Sequence, residues 1–75
     1  MKVINTYKKP IPKNQNGKIE NIAILAVLTE DSRGLNAVYV AVTENAEFAK
    51  DFGQKLNYTE ALSYYPMLDK STYRK

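Results

Sequence analysis

The hydrophobic positions of this chain change period once, at Thr43. Before that point they alternate or run continuously, which is typical of β-strands, and after it they recur with the period of an α-helix. Residues 2–7 and 36–43 have the β-branched and aromatic content of half-buried strands. Residues 19–29 are apolar on both faces and predict a strand that is buried on both sides. A short buried helix fits the spacing of residues 19–29 as well, so both alternatives stay open.

Turn signals separate the predicted strands. Asn16-Gly17 is the strongest short signal for a hairpin, because a type I′ turn needs a positive φ at both central positions. Residues 30–34 supply a polar turn before the third strand. Pro10 and Pro12 lie two positions apart, so their missing N–H groups fall on one edge and exclude a central strand. Residues 8–17 therefore form either an edge strand or an extended, polyproline-like arm.

The helical part of the chain predicts two consecutive helices. Thr43 or Asn45 caps the first of them. Phe48, Phe52 and Leu56 follow at i, i+4 and i+8, and this apolar stripe is expected to pack on the sheet.

A glycine and a proline mark the limits of these helices. Gly53 either permits a close approach to the sheet or ends the first helix. The second helix begins at Asn57, with Glu60 in the capping-box position, and it ends near Tyr65 because Pro66 follows.

These elements predict an α+β fold, in which a small antiparallel sheet of about three strands is followed by two short helices packed on one face. The 75 residues suffice for one domain, divided into a basic strand or proline-containing arm (1–18), a folded core (19–68) and a mobile basic tail (69–75). The initial methionine favours a complete small protein. The longest apolar run, residues 22–28, is too short for a membrane helix, which predicts a cytoplasmic protein without a membrane partner.

Charge is segregated along the chain. The net charge of +3 is the sum of +5 in residues 1–18, −5 in residues 19–69 and +3 in residues 70–75. Because the sequence has no Cys and no His, thiolate chemistry, histidine bases and Cys/His metal sites are excluded.

The residue types that are present form no recognisable catalytic motif. Glu30 and Asp31 lie in a predicted turn, and Glu44 and Glu47 lie where acids favour the start of a helix, so neither pair requires a catalytic role. The three glycines are too far apart for a phosphate-binding loop. We therefore predict a protein that is not an enzyme and has no cofactor, metal or small-molecule substrate.

Protein–protein contact is the function that the pattern favours. Two helices on one face would leave the other face of strand 19–29 uncovered, and residues 37–42 would lie at an open sheet edge. We predict a binding or regulatory protein, such as an accessory or inhibitor protein of bacterial or mobile-element type, acting through this face or edge on a protein partner or as a homodimer. The N-terminal strand, the arm or the tail could instead cover the face. The candidate interface residues are Ala23, Leu25, Val27, Tyr39, Ala41 and Tyr64.

Among the tyrosines, Tyr58 and Tyr65 are expected in the core, whereas Tyr64 and Tyr73 are expected at the surface.

Nucleic-acid binding through the two basic ends is the alternative function. Chain termini often lie close together, so the ends could form one patch that contacts phosphates with little sequence specificity. Against it stand the acidic core segment and the lack of a helix with a basic face. The candidate contacts are Tyr7, Lys8, Lys9, Lys13, Lys18, Lys70, Tyr73, Arg74 and Lys75.

Overall fold

The computed structural model describes residues 1–15 and 18–74, and for residues 12–15 and 18–21 it describes the backbone. The predicted α+β class is confirmed, with four strands in the sheet instead of about three. In chain order the elements are β1 (Lys2–Gln15), β2 (Lys18–Glu30), β3 (Asn36–Val42), α1 (Ala46–Phe52), β4 (Gln54–Lys55), α2 (Tyr58–Leu62) and a short 3-10 turn (Lys70–Thr72).

The four strands form one antiparallel sheet in the order of the chain. β1 pairs with β2 from Lys2 opposite Glu30 to Gln15 opposite Lys18. Residues 8–15 are therefore an edge strand and not an unpaired arm, and residues 19–29 are a strand and not a buried helix. The predicted Asn16-Gly17 turn lies outside the described residues.

The β1–β2 hairpin is longer than the rest of the sheet. β3 pairs with β2 only from Ile24 to Glu30, so the part of the hairpin beyond Lys9 and Ile24 has no third strand beside it. We call this part the ribbon. At about 3.3 Å per residue the ribbon extends roughly 20 Å past the sheet. The molecule accordingly measures 48 × 22 × 16 Å.

The two helices pack on opposite faces of the sheet, so the prediction that they share one face is wrong. Leu25 and Val27 of β2 pack against Ala49 of α1. Ala26, which points to the other side of the strand, packs against Ala61 of α2. A strand that is apolar on both faces needs a cover on each side, and one helix per face supplies it.

The buried side chains are small, and this decides where α1 places its aromatic residues. Among the described residues the buried apolar ones are Leu25, Ala26, Val27, Ala37, Val38, Ala49, Leu56, Ala61 and Tyr73. Phe48 and Phe52, which were expected in the core, are 47% and 76% exposed. Ala46 and Ala49 contact the sheet in their place. Leu56 is buried as expected, but it follows β4 and packs on the other face.

Side-chain caps begin both helices where the sequence predicts them. The Asn45 side chain accepts a hydrogen bond from the N–H of Phe48 at 3.1 Å. The Asn57 side chain accepts one from the N–H of Glu60 at 2.8 Å. Each hydrogen bond satisfies an N–H group of the first turn that has no partner within the helix.

Gly53 has both of the roles that the sequence allows. Its N–H donates to the carbonyl oxygen of Ala49 at 2.9 Å and ends α1. A Cβ added here would lie 2.8 Å from the carbonyl oxygen of Val40 and closer still to that of Ala49. Because its φ of −72° is open to any residue, the requirement is for space and not for a special backbone angle.

We predict that Gly53→Ala lowers the free energy of unfolding by about 1–3 kcal/mol, because backbone carbonyls cannot rotate away from the added methyl group. Gly34→Ala is the matched control. Gly34 has a φ of +81° and open space around its Cβ position, so its cost is limited to backbone strain of about 1 kcal/mol. Urea denaturation measures both values. A Gly53→Ala variant as stable as the wild type would contradict the close approach of α1 to β3.

Candidate functional site

The sheet face predicted as the interface lies inside the protein. Leu25 is 6% exposed and Val27 is 0% exposed. Tyr39 and Ala41 are half-buried in the same cluster. The cover is α1, not the N-terminal strand, the arm or the tail. These residues therefore cannot present an open apolar face to a partner.

The other two predicted interface residues lie elsewhere. Ala23 is half-buried at the base of the ribbon, opposite Pro10. Tyr64 is half-buried on the α2 face, where its ring contacts that of Tyr7 edge-on, with 5.9 Å between the ring centroids. The six predicted residues consequently do not form one surface.

The outer edge of β3, the other predicted interface, is closed by the chain that follows it. The N–H of Leu56 donates to the carbonyl oxygen of Val38 at 2.9 Å, and the N–H of Arg74 donates to that of Asn36 at 2.6 Å. The N–H of Val38 donates to the Tyr73 hydroxyl at 3.1 Å. β4 pairs with the next residues of the strand. The backbone N–H and C=O groups that a partner strand would need at this edge are therefore already bonded.

The outer edge of β1 is also unsuited to strand addition. Successive residues of a strand direct their backbone groups to opposite neighbours. Because Asn36 and Val38 bond outwards at the β3 edge, the β1 residues that face outwards between Thr6 and Pro12 are those at positions 6, 8, 10 and 12. Pro10 and Pro12 have no N–H to offer. The N–H of Thr6 already donates to the Asn5 side chain at 2.9 Å. Lys8 supplies the one remaining donor between positions 6 and 12.

The accessible apolar feature on the α1 side is a pair of phenylalanines, Phe48 and Phe52. Their ring centroids are 5.2 Å apart, one helical turn from each other. A phenylalanine side chain has no polar atom for water to bind, so the two rings in contact form an exposed apolar patch on the helix surface. We call them the α1 aromatic pair.

Sequence reasoning identified these two phenylalanines but assigned them to the core. The stripe of Ala46, Ala49 and Gly53 at i, i+3 and i+7 is the sequence signal that argues against placing the phenylalanines in the core. Small residues at helical spacing let a helix approach a sheet closely, and the phenylalanines then fall on the flank of the helix.

The exposed charges of α1 are acidic. The side chains of Glu47 and Asp51 are 69% and 55% exposed, whereas Lys50 is 18% exposed. Lys50 Nζ lies 2.6 Å from a Glu47 oxygen and 3.8 Å from an Asp51 oxygen. The hydrogen bond to Glu47 raises the pKa of Lys50. Just before the helix, Glu44 pairs with Lys8 of β1, and this hydrogen bond lowers the pKa of the Glu44 carboxyl.

A second apolar surface, a groove of about 550 Å³, lies on the α2 face between β1 and the segment after α2. Ile4, Tyr64 and Met67 line it, and Met67 is 95% exposed. The Tyr65 hydroxyl beside it donates to the carbonyl oxygen of Ala26 at 2.6 Å, and burial raises the pKa of Tyr65 to about 12. Tyr65, like Tyr58, packs against the core as expected.

The basic residues predicted as nucleic-acid contacts at the two ends do not form one patch. Lys9 lies opposite Ile24, which pairs with Val42 at the far end of β3. Arg74 is bound to Asn36 at the near end. The six residues between these levels correspond to roughly 20 Å. Lys13 and Lys18 lie still farther out along the ribbon, and Lys75 is outside the described residues.

Residues 69–74 pack against the edge of β3 and form what we call the clasp, where the sequence predicts a mobile tail. Tyr73, expected at the surface, is 7% exposed, and its hydroxyl donates to the carbonyl oxygen of Leu56 at 2.5 Å. Burial raises the pKa of Tyr73. Lys55, Lys70 and Arg74 line a cavity of about 410 Å³ beside it.

Comparison of the chain with protein-family models, curated proteins and solved structures gives no match. Within residues 1–15 and 18–74, no three acidic side chains cluster as metal ligands would. No helix in the described part of the chain has the length and apolar character needed to cross a membrane. Any proposal about function therefore has to rest on the surface features of the molecule itself.

An ion pair joins the clasp to the turn before β3. Arg74 Nη2 donates to Asp31 Oδ2 at 2.7 Å, and the N–H groups of Leu35 and Arg33 donate to Asp31 Oδ1 at 3.0 and 2.8 Å. The Arg74 hydrogen bond, followed by that of Leu35, lowers the pKa of the Asp31 carboxyl to about 2. The folded state thus favours the ionised carboxylate.

We predict that Asp31→Asn lowers the melting temperature at pH 7, and that the deficit shrinks as the pH falls from about 4 towards 2. The unfolded carboxyl titrates near 3.9, above the folded value, so its stabilising contribution is complete above pH 4 and is lost below it. Thermal denaturation of both proteins at a series of pH values measures the deficit. A deficit that stays constant down to the acid limit would show that the Asp31 charge does not stabilise the fold.

Proposed function

We propose that this protein is a small, non-enzymatic binding protein that regulates a protein partner through the α1 aromatic pair. The proposal rests on one observation: small side chains fill most of the interior, whereas two large apolar side chains lie at the surface. Alanines and valines fill most of the core, while Phe48 and Phe52 stand in water at 47% and 76% exposure. A regulatory role, such as that of an inhibitor or accessory protein, and a cytoplasmic location belong to the same proposal.

The helix that presents the aromatic pair is fixed to the rest of the fold before any partner binds. Asn45 caps the start of α1, Gly53 ends it, and Ala49 anchors it to the sheet. The backbone of α1 therefore needs little ordering when a partner covers the rings, which leaves more of their burial energy for affinity. Burying a whole phenylalanine side chain contributes about 1.5–3 kcal/mol, so two partly exposed rings supply a useful anchor.

The closed edges of the sheet support the helix as the contact element. Strand addition needs a row of free backbone donors and acceptors. β4 and the clasp occupy those of β3, and the prolines of β1 remove donors from the other edge. Docking of a helix into a groove needs only side chains spaced at i and i+4, as Phe48 and Phe52 are.

We predict that the double variant Phe48→Ala/Phe52→Ala loses its partner in affinity purification from native cells, with at least about a tenfold drop in recovery. Met67→Ala is the matched control, because Met67 is 95% exposed on the other face. Both variants should keep their stability within about 1 kcal/mol, since the altered side chains are exposed. Equal partner recovery by wild type and double variant, or no specific partner for the wild type, would reject the proposal.

Nucleic-acid contact remains a second candidate for the ribbon alone. The ribbon projects beyond the sheet, and the chain carries Lys13 and Lys18 along it and Lys9 at its base. The major groove of duplex DNA is wide enough for a two-stranded ribbon. The clasp does not contribute to this candidate, because Tyr73 and Arg74 are engaged in internal contacts.

On this second candidate, replacing Lys9, Lys13 and Lys18 by glutamine weakens binding to duplex DNA by about tenfold or more at low salt, through the loss of phosphate contacts. Lys70→Gln, an exposed cation of the C-terminal segment, should leave binding unchanged. Fluorescence anisotropy with a labelled duplex measures both. No binding by the wild type at low salt removes the candidate.

A further inference from the structure

We infer that the surface recognised by the α1 aromatic pair belongs to a different protein, and that it is an apolar groove bordered by lysine or arginine side chains. The inference rests on the proposed function, since it specifies the chemistry of the partner at the same site. It follows from the charges beside the pair and from the area that the pair offers.

An acidic stripe runs beside the aromatic one. Glu47 precedes Phe48 and Asp51 precedes Phe52, so each acid lies about 100° around the helix from its phenylalanine. Glu47 and Asp51 are one turn apart and largely exposed, at 69% and 55%. The helix thus presents two parallel stripes, one aromatic and one acidic.

The one cation of α1 does not cancel this charge at the surface. Lys50 is 18% exposed, and its Nζ atom lies 2.6 Å from a Glu47 oxygen and 3.8 Å from an Asp51 oxygen. This one cation balances one of the two carboxylates. A partner therefore meets a net negative rim beside the phenylalanines, and cations placed opposite that rim improve the encounter rate and the specificity.

A second copy of this chain does not satisfy these requirements. An antiparallel two-fold contact through Phe48 and Phe52 would place the two acidic stripes on the same side of the interface, and their repulsion disfavours it. With about 200 Å² for a whole phenylalanine, the exposed parts of the two rings offer about 250 Å² per copy. Two copies would bury about 500 Å² through them, short of the roughly 1,000 Å² of a stable interface. A groove that wraps around α1 buries more and avoids the repulsion.

Two synthetic amphipathic helical peptides test the charge requirement, one of leucine and lysine and the other of leucine and glutamate. Fluorescence anisotropy should show the wild type binding the lysine peptide about tenfold or more tightly than the glutamate peptide. This preference opposes the net charge of +3 of the whole protein, so it reports the local rim and not the overall field. Equal affinity for both peptides, or preference for the glutamate peptide, overturns the inference.

Charge variants assign the preference to α1. Glu47→Lys/Asp51→Lys should reverse the preference for the lysine peptide. Glu47→Gln/Asp51→Asn should abolish this preference, and it serves as the test if the charge-reversed variant does not fold. Met67→Ala should leave it unchanged. If the preference persists in either folded charge variant, the acidic stripe is not its source and the inference fails.

Separate results test docking through the phenylalanines and the basic border of the partner's groove. If Phe48→Ala/Phe52→Ala binds the lysine peptide as well as the wild type does, the aromatic pair is not a docking site and the proposed function fails. If binding depends on the phenylalanines but not on Glu47 and Asp51, only the basic groove is wrong. Sedimentation that shows a dimer of the wild type, lost in the phenylalanine variant, would identify a second copy as the partner and overturn the inference.

Discussion

Burial of β2 from both sides is the constraint on which the rest of the structure depends. A strand with apolar residues on each face is stable only if each face has its own cover, and this chain has one short helix available for each. The positions of α1 and α2 on opposite sides follow from that need. The strands beside β2 and the clasp at the outer edge complete the enclosure.

Short helices on a narrow sheet make close contact only through small side chains. Ala49 and Ala61 are each 0% exposed at the centre of their contacts. The larger residues of α1 are displaced to its flank, where they cannot reach the sheet. The same packing that stabilises the fold therefore leaves Phe48 and Phe52 in solvent, so the candidate site is a direct product of the architecture.

Local patterns predicted the elements of this fold but not their arrangement. The first three strands, the Asn45 and Asn57 caps and the change of period at Thr43 could be predicted, because each depends on neighbouring residues, whereas the two-residue strand β4 was not predicted. The face chosen by each helix depends on contacts far apart in the chain. An apolar stripe at i, i+4 and i+8 looks the same whether it faces the core or a partner, and so the candidate site was assigned to the core.

The closed edge of β3 was unpredictable for the same reason, since Tyr73 meets Val38 across 35 positions of sequence. That distance has a consequence for the folding of the protein. The β2–β3 hairpin closes a short loop, whereas the contact of Tyr73 with β3 closes a long one, so β3 can pair with β2 while its outer hydrogen-bonding groups at Asn36 and Val38 are still unsatisfied. Until the clasp docks, these groups are open to pairing with other strands, and docking of the clasp removes that risk.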